Sequence, residues 1–134
     1  MSTPPASSDY LLLIRGTHWD KDLSPEEIQK VMSNWSAWFE DLTRRDKIKG
    51  AQPLAPEGKI VAGKKGHLVA DGPFAESKEA IAGYFLLQVR DLAEALEIAK
   101  SNPALEYGIT IEVRPVIAQC PTMQRANALA QAEV

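Results

Sequence analysis

Twice along this chain an apolar run of strand length is followed by a capped amphipathic helix, and that repeat is the strongest limit on its fold. The first run is Tyr10 to Ile14, closed by Arg15 and Gly16. After a polar loop from Gly16 to Leu23 comes Ser24-Pro25-Glu26-Glu27. Serine takes the N-cap, and proline takes the first helical position, where its missing N–H costs nothing. Glutamate sits at the third position, which makes a capping box. Apolar residues then recur at Ile28, Val31, Met32, Trp35, Trp38, Phe39 and Leu42, in steps of three and four that line one helical face. Such an aromatic stripe reads first as core and second as the wall of a cofactor box. The second run, Gly83 to Arg90, is the clearest strand in the chain. Asp91-Leu92-Ala93-Glu94 caps the helix behind it, Leu92, Ala95, Leu96 and Ala99 form the apolar face, and Asn102-Pro103 stops it.

The remaining segments are shorter. Residues 1–9 are small, polar and Pro-rich and read as a flexible tail. The first helix should fade near Lys47 to Gly50. Lys59–Ala62 and His67–Ala70 read as hairpin strands around Gly63-Lys64-Lys65-Gly66, with the two lysines at a solvated tip. Asp71–Ala80 reads as a polar loop or turn. Gly108–Val113 is a last strand, with Ile109, Ile111 and Val113 alternating. Residues 121–133, rich in Ala and Gln, read as a weakly amphipathic helix. The order suits an α+β fold of the ferredoxin-like type, βαββαβ with an antiparallel sheet. Both helices would cover one sheet face. The other face then needs a second copy, so the expected form is a homodimer with its sheets face to face.

Composition narrows the function. The chain has 134 residues, 45% hydrophobic and 25% charged, which suits one soluble domain. Its apolar runs fall far short of the ~20 residues of a membrane helix. No basic, apolar, cleavable leader opens it, so a cytoplasmic protein without a membrane partner is expected. Fifteen Lys and Arg face 18 Asp and Glu, and the pI is near 5.4. A nucleic-acid binder carries a basic stripe. The cluster here, Arg44, Arg45, Lys47 and Lys49, falls where a helix ends, and cations there complement the helix dipole. Direct nucleic-acid binding is not expected. One cysteine, Cys120, allows no intrachain disulfide and reads as a spectator thiol. Two histidines without a Cys pair argue against a zinc site, and no metal or organic cofactor is expected.

Asp71-Gly72-Pro73-Phe74-Ala75-Glu76-Ser77-Lys78-Glu79 resembles the signature of the DGPF group of YCII-related proteins. Tyr10 to Gly16, Leu23 to Glu27, Gly83-Tyr84-Phe85 and Ile111 to Val116 resemble the same family. The resemblance spans about residues 10–116 and leaves 117–134 as an extension, read as helical. It implies a ferredoxin-like protein that dimerises into an α/β barrel. It also implies a small-molecule enzyme of lyase, isomerase or dehalogenase type, working by acid–base chemistry in a dimer cleft without metal or organic cofactor. The alternative it implies is a non-catalytic ligand-binding or regulatory accessory associated with extracytoplasmic-function sigma factors.

The candidate catalytic residues are Asp71, as base or orienter, and His18, as proton shuttle in the loop after the first strand. The structural reading of Asp71 is a turn-shaping carboxylate. His18, Asp20 and Asp22 also make a weak His-x-Asp-x-Asp pattern, for which an exposed acidic loop is the plainer reading. Gly72, Pro73 and Phe74 are further ligand-binding candidates, for which the structural reading is that Gly72 and Pro73 shape the signature loop and Phe74 anchors it. Arg15, Tyr84 and Arg114 form a possible cradle for a small, possibly anionic organic ligand, because guanidinium groups bind carboxylates bidentately. The competing reading of the two arginines is an intramolecular salt bridge.

Overall fold

Helix α1 (Pro25–Arg44) starts where its cap places it: the Ser24 hydroxyl accepts the Glu27 N–H at 3.1 Å, and the Glu27 carboxylate accepts the Ser24 N–H at 2.9 Å. The helix ends in a Schellman turn. Lys47 N–H reaches the Leu42 carbonyl at 2.9 Å and Asp46 N–H reaches Thr43 at 3.0 Å, with Asp46 left-handed at φ 58°. Arg44 and Arg45 both pair with Asp41 there.

The structure, a computed structural model, describes residues 8–72 and 80–132. The strands are β1 (Ser8–Arg15), β2 (Ile48–Pro53), β3 (Lys59–Ala62), β4 (Leu68–Asp71), β5 (Ile81–Val89) and β6 (Thr110–Pro115). Helix α2 spans Leu92–Lys100, and α3 spans Pro121–Ala132. Four strands form one sheet in the order β2-β5-β1-β6, with every neighbouring pair antiparallel. This is the ferredoxin-like arrangement: each β–α–β crossover skips one strand, and a neighbour from the other half fills the gap.

The sequence-based assignment of the middle needs correction. The hairpin expected over 59–70 forms, but as a separate two-stranded ribbon of β3 and β4. The edge strand of the sheet is instead Ile48–Pro53, a segment the sequence reading passed over. Ser8 and Asp9, read as tail, belong to β1. Asp9 is pinned there by Val116 N–H on its carbonyl at 2.9 Å and by Lys49 on its carboxylate at 2.8 Å.

Alternation sorts the sheet's two faces. Leu12, Ile14, Phe85, Leu87 and Val89 are buried on the face toward the helices and meet Val31, Leu42, Ala95 and Ile98. Leu11, Leu13, Tyr84 and Leu86, one residue out of phase, are half-buried on the other face. Asp91 caps α2 by accepting the Glu94 N–H at 3.0 Å. Trp38 Nε1–H donates to Ser101 Oγ at 2.7 Å and ties α1 to the end of α2. In contrast to this core, Ile60, Val61, Leu68 and Val69 on the ribbon are all more than half exposed. Helix α3 carries no buried residue. No helix among the described residues is long and apolar enough to cross a membrane.

Candidate functional site

Phe85 is the hub on which α1 rests. Its ring centroid lies 6.0 Å from Trp35, 5.1 Å from Trp38 and 5.9 Å from Phe39. Trp35 and Trp38 meet each other at 5.8 Å, nearly edge to face. Four rings on one contact fill the space toward α2. Beside this cluster the packing opens, and a cavity of about 400 Å³ lies between α1, β2 and β5. Trp19, Met32, Trp35, Phe39, Tyr84 and Phe85 line it, with Ile14, Ala51, Gln52 and Pro53. That size and apolar lining suit a small organic ligand.

Two local features hold the walls. Trp19 comes from the loop after β1, where Gly16 and His18 both have positive φ, 110° and 61°. Gly16 N–H donates to the Ala80 carbonyl at 3.0 Å. The folded-back loop lays Trp19 near Tyr107, ring centroids 6.4 Å apart. Gly83 lets β2 and β5 approach closely: a Cβ there would lie 2.9 Å from the Gln52 carbonyl oxygen and 3.2 Å from the Pro53 Cα. The aromatic stripe of α1 is thus shared. Val31 and Leu42 go to the core, Trp35 and Trp38 to the hub, and Met32 and Phe39, both over a third exposed, form the lip.

The residues singled out from sequence lie in different places. His18 is exposed beside Trp19 and does not line the cavity. Asp71 ends β4 with its side chain 83% exposed and forms an ion pair across the ribbon with Lys59. No hydrogen bond joins His18 to Asp71 among the described residues, since the Asp71 carboxylate contact is with Lys59. Gly72 is buried, and a Cβ there would meet the Ile60 side chain at 2.4 Å. Pro73 and Phe74 lie outside the described residues.

Arg15 and Arg114 converge on Glu112, the salt-bridge arrangement weighed against a ligand cradle. The Arg15 hydrogen bond, reinforced by Arg114, holds the Glu112 carboxyl below the usual carboxylate range. Tyr84 borders the cavity through strand β5, opposite Gln52, with its side chain on the sheet face away from α1. Among the described residues, no group of three His, Cys, Asp or Glu is placed to hold a metal ion. Cys120 stands exposed before α3, and the Met123 and Thr122 N–H groups lower its thiol pKa. Sequence reasoning missed Trp19, Gln52 and Ala51 as wall residues. The one available signal for Trp19 was a large aromatic in an otherwise polar loop.

Comparison with known proteins identifies the family. The family model for the YCII-related domain matches residues 10–118. An uncharacterized protein of Rhizobium meliloti (strain 1021) is 35% identical over 100 residues, covering 69% of this chain and 78% of the relative. Among solved structures, a hydroxynitrile lyase from Passiflora edulis aligns with 88% of this chain and all of its own, at 15% identity and a TM-score of 0.36. The family match runs from Tyr10 in β1 past the end of β6 and takes in everything that builds the cavity, and the chain belongs to the YCII-related domain family.

Proposed function

We propose that this protein is a YCII-type small-molecule enzyme whose organic substrate occupies the cavity between α1, β2 and β5. The observation that carries this reading is the cavity itself: about 400 Å³, walled by the rings of Trp19, Trp35, Phe39 and Phe85 and opening at Met32 and Phe39. The proposed acid–base group is His18, the titratable neighbour of the wall residue Trp19, with Asp71 as its partner. Asp71 is held by Lys59 in an exposed pair, and such pairs contribute under about 1 kcal/mol, so exchange of that contact is cheap. The proposed assembly is a cytoplasmic homodimer. Leu11, Leu13 and Leu86, half-exposed on the face away from the helices, support it.

A second reading is a non-catalytic ligand-binding or regulatory accessory linked to extracytoplasmic-function sigma factors. It draws on the lining, to which no Asp, Glu, His, Lys or Arg belongs among the described residues.

The test is a ligand-observed NMR screen of small organic molecules on the wild-type protein and on Ala51→Phe, which fills the cavity from β2. Hits carry forward to turnover assays with His18→Gln and Asp71→Asn. Binding lost in Ala51→Phe, with turnover lost but binding kept in the other two variants, is the expected result. Hits that bind Ala51→Phe equally well overturn the site. Undiminished turnover in both charge variants overturns their roles, and ligands that bind without turnover favour the regulatory reading.

A further inference from the structure

We infer that the cavity selects uncharged aromatic ligands and rejects anions of the same shape. This rests on the cavity being the ligand site and specifies the ligand's chemical class. Among the described residues, no Asp, Glu, Lys, Arg or His belongs to its lining, and the polar residues there, Gln52 and Tyr84, alternate with Ala51 and Phe85 and project their side chains to the other sheet face. A carboxylate entering it would lose water and meet no cation, and burying an unpaired charge is the costliest exchange a site can make. Aromatic faces carry the negative part of the ring quadrupole, which adds to the penalty for an anion and offsets only part of the desolvation of a cation.

The cations near the sheet are also engaged. Arg15 and Arg114 pair with Glu112, Lys47 with Glu94, Lys49 with Asp9 and Lys59 with Asp71. Drawing any of them toward an anionic ligand breaks an existing pair. Arg15 in addition projects to the opposite sheet face from its neighbour Ile14, which lines the cavity. A flat neutral ring has no such cost. It gains apolar burial against Trp19, Trp35, Phe39 and Phe85 and leaves no charge unpaired.

The test compares three probes of one shape by titration calorimetry: 2-naphthalenemethanol, 2-naphthoate and 2-naphthylmethylammonium. Each is titrated into the wild-type protein, Ala51→Phe, and Met32→Trp. The last places its bulk at the exposed lip and does not disturb the core. The expected result is that the neutral alcohol binds at least tenfold more tightly than either ion, and that both filled variants lose that binding. If 2-naphthoate or the ammonium binds as tightly as the alcohol and the filled variants abolish it, the charge inference is overturned while the cavity stands. If no probe binds, or if binding persists unchanged in both filled variants, the cavity reading and the inference fall together.

Discussion

Trp38 and Phe85 meet edge to face, with ring centroids 5.1 Å apart and planes at 89°. The positive edge of one ring points at the negative face of the other, which is the favoured geometry for an aromatic pair. Phe85 is also the contact for Trp35 and Phe39, so truncating it removes three ring contacts and leaves a void under α1. Phe85→Ala is expected to destabilise the fold by about 3–5 kcal/mol. A double-mutant cycle with Trp38→Ala should return a coupling of roughly 0.5–1.5 kcal/mol. Urea midpoints measure both, and additive losses would show that the edge-to-face contact contributes nothing of its own.

Glu94 sets the acid limb of stability. It accepts the Arg90 N–H at 2.9 Å and pairs with Lys47 at 3.1 Å, with its side chain 11% exposed. The Arg90 backbone bond is the largest cause of its lowered pKa, and Lys47 and the Arg90 charge add to it against the cost of burial. The folded pKa is therefore below the unfolded value near 4.5. As pH falls, the unfolded chain takes up the proton first. The stabilisation is complete above the unfolded pKa and disappears as pH drops through the folded one. Glu94→Gln should be less stable than wild type at pH 6, and the gap should narrow as pH falls below about 4.5. A gap of constant size from pH 6 to pH 3 would contradict the linkage.

Asp46 occupies the left-handed position after α1, at φ 58°. Only its backbone takes part in the Schellman turn and in accepting Gln88 Nε2–H, at 2.9 Å. Glycine adopts that conformation without a Cβ penalty, so Asp46→Gly should stabilise by about 1 kcal/mol. Thermal unfolding checks this, and no gain in melting temperature would count against it.

Gly83 faces the opposite constraint. A Cβ at this position points at the backbone of Gln52 and Pro53, which cannot swing aside as a side chain can. Gly83→Ala should cost about 1–3 kcal/mol and loosen β2 from β5. Amide exchange should then speed up at Leu54, whose N–H donates to the Ala82 carbonyl at 2.8 Å.

Leu13 lies between Tyr84 and Glu112 on the sheet face away from the helices. In the proposed homodimer, Leu13→Glu puts a second carboxylate beside Glu112 in the interface. Sedimentation should then shift from dimer to monomer with far-UV circular dichroism unchanged. A wild-type protein that is already monomeric at high concentration would end the dimer proposal.

Much of the fold was legible because its signals are local. The capping residues Ser24, Glu27 and Asp91 and the spacing of the aromatic stripe each determine structure within a few residues. Strand β2 was not legible. Ile-Lys-Gly-Ala-Gln-Pro has one β-branched residue, a glycine and a terminal proline, and it pairs along one side only, with β5. Its strand character comes from β5, so it is a tertiary effect. The same holds for the cavity. The stripe on α1 announced burial, but how Trp35 and Trp38 share Phe85, and how Met32 and Phe39 are left at a lip, depends on where β5 lies. His18 and Asp71 were chosen for their chemistry, and their positions depend on a loop and a ribbon whose paths the sequence does not specify.

The ribbon of β3 and β4 has one more implication. The chain leaves the sheet at Pro53 and rejoins it at Ile81, and Pro53 and Gly83 are register partners. Leu54 is already bonded across the gap. For the sheet, everything from residue 55 to residue 80 is therefore a single enlarged turn between two strands that already touch. Lengthening such a turn adds little closure entropy, because the cost grows only with the logarithm of its length. The ribbon can be rewritten, extended or shortened from one descendant to the next with little cost to the cavity's walls on β2 and β5. It is the part of the chain that the sheet itself constrains least.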